Sequence, residues 1–261
     1  MIYSGQAIAG AITGLLVGIT GVGGGALMTP VLLLVFGISP TTAVATDLWF
    51  ATITKIFGAG VHYRSGNVDW QVAKRLWAGS LPVAMATVLL VSQGYHIAKS
   101  HWLSLAVGII VLLTAVGMMI SPWLLGIARN RRLGNPERFL KWQPMLTTAA
   151  GAALGCCVAL TSVGAGALGS AILLYLYPRR MKPHRLIATD IIHAIPLAFV
   201  AGLGYLFAGM VDWNLLGSLL LGSIPAVLIG SSIAQRAKGR WLQVVLAIVL
   251  FSAGLKVIQA F

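Results

Sequence analysis

Thr20-Gly21-Val22-Gly23-Gly24-Gly25-Ala26-Leu27 decides the fold, because the chain writes it again as Thr161-Ser162-Val163-Gly164-Ala165-Gly166-Ala167-Leu168. Outward from this stretch, Ala45-Thr46-Asp47 returns as Ala188-Thr189-Asp190. Gly66-Asn67-Val68-Asp69-Trp70 returns as Gly209-Met210-Val211-Asp212-Trp213, and Gly79-Ser80-Leu81-Pro82 as Gly222-Ser223-Ile224-Pro225. The matches keep their order while their spacing drifts only from 141 to 143 residues, so the chain reads as an internal duplication.

Composition sets the solvent of that duplication. The 261 residues are 58% hydrophobic and 9% charged, where a soluble domain carries about 25% charge. Mean hydropathy is +0.92, and the chain reads as an all-α integral membrane protein. The net charge of +13 would point to nucleic acid in a soluble protein, but in a membrane it reports topology. Cys156 and Cys157 are adjacent within an apolar run, where helical neighbours do not bridge, so they read as small buried hydrophobes. The N-terminal stretch lacks a basic segment and a cleavage site and contains the repeated motif, so it reads as mature fold and not as a signal peptide.

Uncharged apolar runs fall at about 5–36, 40–61, 76–95, 101–125, 145–178, 186–208, 213–234 and 241–261. Most match the roughly 20 residues that one helix needs to cross about 30 Å of hydrocarbon. The runs at 5–36 and 145–178 would span about 48–51 Å as single helices. Each is interrupted by the glycine-rich repeat, so each reads as a broken helix folded into a hairpin. Fifteen of the 18 basic residues lie in four loops: Arg64, Lys74 and Arg75; Arg129, Arg131, Arg132, Arg138 and Lys141; Arg179, Arg180, Lys182 and Arg185; Arg236, Lys238 and Arg240. Cytoplasmic loops collect Lys and Arg, and all four loops share one side only if the long runs dip in and return.

The expected architecture is therefore an inverted-topology repeat, each half a broken hairpin plus three transmembrane helices. The first repeat covers 1–125, a cytoplasmic linker 126–143 and the second repeat 144–261. An odd number of crossings per half puts both termini on the external, periplasmic side of the cell inner membrane. It also places the substrate site near mid-bilayer, where the halves meet. Trp70, Trp102, Trp123, Trp142, Trp213 and Trp241 lie near span ends as interfacial anchors.

Irregular backbone survives at membrane depth only where protein or a water-filled cavity satisfies its polar groups. Thr20, Gly21, Gly23, Gly24 and Gly25 at one tip, and Thr161, Ser162, Gly164 and Gly166 at the other, would present two helix N-termini to a small anion, with Thr46 and Thr189 nearby. The plainer reading is that the glycines serve close helix packing. Asp47 and Asp190 are acidic residues inside spans, a placement that is costly and usually functional. Protonated, they would donate hydrogen bonds to an anion and couple its movement to protons; alternatively they cap helix starts or tether the hairpins. His193, one turn beyond Asp190, is a candidate proton relay or a packed histidine whose repeat counterpart is Phe50. Lys55, inside a span, is a possible charge partner of Asp47, an attractor of anions, or a snorkelling side chain. Asp69 and Asp212 read as helix caps.

At these residues the chain resembles the sulfite exporter TauE/SafE family, also called the sulfonate uptake permease family. The resemblance rests on a Gly-x-Gly-Gly-Gly segment followed by Pro30 and a stretch ending in Ala-Thr, here Gly18 to Pro30 and Gly37 to Thr46, with the pattern repeated. Asp47 and Asp190 stand where that pattern leads one to expect serine, and the second tip reads Gly-Ala-Gly with no equivalent of Pro30. The resemblance implies a cell-membrane carrier of sulfite or organosulfonate-like anions driven by protons. Its partners would be a small anion, protons and lipid, without nucleic acid. The alternatives are a cation or metal transporter of the same fold using Asp47 and Asp190, and a membrane assembly factor. No metalloprotease His-Glu-x-x-His and no repeated nucleophile–histidine pair suggests an enzyme, and no cofactor or metal site is expected.

Overall fold

The computed structural model describes residues 4–20, 25–62, 68–94, 136–164, 166–178, 180–181 and 183–234, with residues 109, 112, 116, 251 and 255 placed singly. The regular elements within them are α-helices: α1 (Ser4–Thr20), α2 (Gly25–Leu34), α3 (Pro40–His62), α4 (Trp70–Gly94), α5 (Pro136–Thr161), α6 (Ala167–Leu176), α7 (Pro183–Phe207) and α8 (Trp213–Ala234). Four stretches, Trp70–Ser92, Lys141–Thr161, Arg185–Phe207 and Trp213–Ser232, are long and apolar enough to cross a bilayer. Apart from those single residues, the spans expected at 101–125 and 241–261 lie outside the described residues, as do Gly21, Gly23 and Gly24 of the first tip.

The helices begin earlier than hydropathy suggests. α4 starts at Trp70 because the Asp69 carboxylate accepts the Val72 N–H (3.3 Å) and caps the helix upstream of Lys74 and Arg75. Asp212 caps α8 in the same way through the Leu215 N–H (3.0 Å). α5 reaches back to Pro136, so residues 136–143, expected as linker, are helical.

Both long apolar runs break. In the second, Ser162 adopts φ 57° and Gly164 φ 118°, left-handed backbone that ends α5 before α6 begins. The chain then returns along itself. Gln143 Nε2 donates to the Leu176 carbonyl (2.6 Å), and Thr147 Oγ1 bonds Tyr177 Oη (2.8 Å), so the end of α6 lies beside the beginning of α5. In the first run Phe36 returns to Gly5.

Contacts between the halves are exchanged. α1 packs on α8, and its repeat counterpart α5 packs on α4, the counterpart of α8. Gly10, Gly14 and Gly18 lie against the backbone of Leu219, Ser223 and Val227, so α1 and α8 run parallel. Gly151 and Gly155 lie likewise against Leu76 and Ser80. A Cβ on Gly14 would stand 2.6 Å from the Ser223 carbonyl oxygen, which no side chain tolerates; glycine is what lets the backbones meet. Between these two pairs cross α3 and α7, joined where the Trp49 indole N–H donates to the Gly202 carbonyl (3.1 Å). Val44, Ala45, Leu48, Val88, Val158, Leu197, Ala201 and Tyr205 fill the shared apolar centre.

Candidate functional site

Polar side chains interrupt that apolar centre where α3 and α7 meet the hairpins. Asp47 is 0% exposed. A carboxyl group stripped of water there is costly unless hydrogen bonds replace its hydration, and α2 supplies them. Thr29 donates both its backbone N–H (3.1 Å) and its hydroxyl to Asp47 Oδ2. Ser162, from the tip of the second hairpin, stands beside the same carboxyl group. It does not meet hydrogen-bond geometry: Ser162 Oγ and Asp47 Oδ1 are both buried without a partner among the described residues. Asp47 is thus a junction between the first hairpin, the first crossing helix and the second tip.

Asp190 holds the matching place on α7 and is as deeply buried. Its Oδ1 has no hydrogen-bond partner among the described residues. The second hairpin makes room for it with Gly169, where a Cβ would stand 2.6 Å from Asp190 Oδ1. Its electrostatic neighbour is Lys55, two turns after Asp47 on α3, which is buried and acts on Asp47, Asp190 and His193 alike. His193 is also buried; its Nε2 bonds Ser80 Oγ on α4 (3.0 Å) while its Nδ1 is unpartnered. Pro196 interrupts α7 just beyond, and the His193 carbonyl accepts the Trp77 indole N–H (3.3 Å).

The expected site residues divide into three groups. Asp47, Ser162, Lys55, Asp190 and His193 gather around the α3–α7 crossing. Thr46 and Thr189 are buried nearby with their hydroxyls engaged across the halves. Thr46 Oγ1 accepts the Asp212 N–H (3.2 Å), and Thr189 Oγ1 accepts the Asp69 N–H (3.0 Å) while donating to the Arg185 carbonyl (2.7 Å). Thr161 ends α5, donating to the Cys157 carbonyl (2.7 Å) and accepting the Val163 N–H (3.1 Å), which shapes the second tip. Gly164 accepts the Gly169 N–H (3.0 Å) and Gly166 the Ser170 N–H (3.2 Å), closing the first turn of α6. At the first tip, Thr20 ends α1 and Gly25 opens α2, while Gly21, Gly23 and Gly24 lie outside the described residues.

Thr29 and Ser80 belong to the site and were not singled out from sequence. Thr29 carries a signal, since it precedes Pro30 in the glycine motif; Ser80 carries only its place in the repeated Gly-Ser-x-Pro. Among the described residues no group of three or more His, Cys, Asp or Glu stands close enough to hold a metal ion. The arrangement offers instead two carboxyl groups, an ammonium group, an imidazole and several hydroxyls inside lipid-facing helices. Ionisable groups buried in such helices are rare and usually functional.

The family profile for Sulfite exporter TauE/SafE matches residues 6–257. Among curated relatives, the chain is 39% identical over 258 residues to the "Probable membrane transporter protein YjnA" of Bacillus subtilis (strain 168), covering 95% of this chain and 97% of that protein. It is 26% identical over 224 residues to the "Probable membrane transporter protein YdhB" of the same organism, covering 84% and 85%. No solved structure matches.

Proposed function

The chain belongs to the sulfite exporter TauE/SafE family of membrane transporters, and on that premise we propose that it carries a small anion of the sulfite or organosulfonate type, coupled to protons. The observation that carries the reading is the set of unpartnered buried polar atoms at the crossing: Asp47 Oδ1, Ser162 Oγ, Asp190 Oδ1 and His193 Nδ1, with Lys55 beside them. Buried polar atoms are normally satisfied, and in a membrane protein a cluster left open marks a path for solute or protons. Lys55 and the hydroxyls attract the anion. The two carboxyl groups repel it unless they are protonated, so each loading step takes up protons with the solute.

Alternating access follows from the exchanged packing. The halves enter the membrane in opposite orientation, with the site at mid-bilayer and both termini on the periplasmic side of the inner membrane. What supports the inversion is the antiparallel crossing of α3 and α7: Trp49 meets Gly202, while Lys55, further along α3, has Asp190, earlier on α7, as an electrostatic neighbour.

The test is uptake into sealed proteoliposomes of sulfite, sulfoacetate, sulfate, thiosulfate and divalent metals, with and without a pH gradient. Gradient-stimulated movement of sulfite or a sulfonate is expected. Movement of a divalent metal alone would overturn the anion reading in favour of cation binding at Asp47 and Asp190. No movement of any solute would leave a membrane assembly role.

A further inference from the structure

Among the described residues, the two halves are joined by ion pairs at one end of the site and by none at the other. Asp69, which precedes α4, is 1% exposed and lies under two arginines of the second half. Arg180, in the return after the second hairpin, grips both its oxygens, with Nη2 at 2.8 Å from Oδ1 and Nε on Oδ2. Arg185, in the first turn of α7, adds Nη2 at 3.5 Å from Oδ2. Arg180 also reaches Gln71 Oε1 (3.0 Å), and Arg75 Nη1 donates to Tyr177 Oη (3.4 Å). The Asp69 N–H bonds Thr189, whose neighbour is Asp190, so the charged cluster connects directly to the site.

The counterpart end repeats the backbone part of this arrangement and omits the charges. The Asp212 N–H bonds Thr46, whose neighbour is Asp47. Gly37 and Thr42 stand at the repeat positions of Arg180 and Arg185, and the sequence holds no Lys or Arg between Gly37 and Thr46. A buried carboxylate paired with two guanidinium groups is costly to separate, whereas one hydroxyl–amide bond is not.

We infer that Asp69, Arg180 and Arg185 form a latch that holds the second hairpin against α4 and closes the site toward the side on which Arg180 emerges. Opening to that side requires both guanidinium groups to leave Asp69. Opening to the opposite side breaks the Asp212–Thr46 bond and apolar packing of α2 and α3 on α8, but no ion pair among the described residues. The latch rests on the alternating-access reading above and assigns the resting bias of the carrier.

The experiment places a reporter thiol at Ser162→Cys, with Cys156 and Cys157 replaced by serine, in oriented proteoliposomes. A membrane-impermeant methanethiosulfonate is applied to one face at a time. Arg180→Gln/Arg185→Gln should raise the labelling rate from the Arg180 side about tenfold, a shift of about 1.4 kcal/mol in the open population. The rate from the other side should stay level or fall. With the arginines intact, raising salt from about 0.1 to 1 M should act in the same direction, since the Debye length falls from about 10 to 3 Å. The arginine pair is tested because Asp69→Asn also weakens the cap of α4; melting in detergent reports whether the arginine variant is folded. An unchanged rate on the Arg180 side, or an equal rise on both sides, overturns the latch. Labelling needs no substrate, so absence of flux in protein that retains Ser162, with sided labelling of the reporter variant, counts against the carrier function, and unsided labelling with intact flux in protein that retains Ser162 counts against the latch.

Discussion

Asp47 and Asp190 occupy matching places in the two halves and meet different company. Asp47 is held by its own hairpin, through both donors of Thr29, and approached by the tip of the other. Asp190 receives no such bond from Ser170, the residue at the place of Thr29; it sits against the bare backbone of Gly169 and answers to Lys55 from the opposite half. Duplication has preserved the acid and let its partners diverge. One carboxyl group is bonded to its own hairpin, and the other has an oxygen without a hydrogen-bond partner among the described residues.

Substitutions at seven positions sharpen or break this contrast. The largest effect is expected for Asp190→Asn, which removes the stronger of the two carboxyl neighbours of Lys55. Stranding a buried charge costs about 3 kcal/mol or more, seen as a lower melting temperature in detergent, with the protein still folded. Adding Lys55→Met should restore most of that loss without restoring transport, and no recovery would show that Lys55 does not depend on Asp190. Next, Asp47→Asn and Asp190→Asn should each reduce the stimulation of uptake by a pH gradient about tenfold or more, within the usual range of coupling energies. Unaltered gradient dependence in both variants would remove the carboxyl groups from proton coupling.

Smaller effects test the tether. Thr29→Val deletes one of the two Thr29 donors to Asp47 and should destabilise by about 1.5–3 kcal/mol, while Ser170→Ala should stay within about 0.5 kcal/mol. Equal losses at the two positions would erase the distinction between the carboxyl groups. The smallest contrast concerns the serines of the repeated Gly-Ser-x-Pro. Ser80→Ala deprives His193 of its partner and should cost about 1 kcal/mol, whereas Ser223→Ala removes a hydroxyl that already has none and should be neutral or stabilising. Thermal melting of the pair decides it.

Much of this fold is readable from the chain because a membrane leaves few choices. A glycine-rich break in an overlong apolar run, with basic loops on both flanks, leaves a returning hairpin as the economical solution, and the contacts of Leu176 and Tyr177 with Gln143 and Thr147 are that return. Asp47 and Asp190 stand out because acids are rare in such runs. Their partners do not stand out. Thr29 and Ser80 are ordinary residues for a packed helix, and only their distance from a carboxyl group or an imidazole distinguishes them. Asp69 was legible as a cap from Gly66-Asn67-Val68-Asp69-Trp70, and the cap is there. The two arginines that share it are more than a hundred residues away, and a loop rich in Arg reads as topology until the fold closes it onto an acid.

The reciprocal glycine seams carry a consequence for how the protein is made. α1 leaves the ribosome long before α8, the surface it was shaped to meet. Until then three backbone notches face lipid, and α1 must wait in the bilayer as an unfinished half of a zipper. The two halves should therefore mature only together, and expressed as separate polypeptides in one cell they should find each other and be spared by quality-control proteases. Either half produced alone should be cleared.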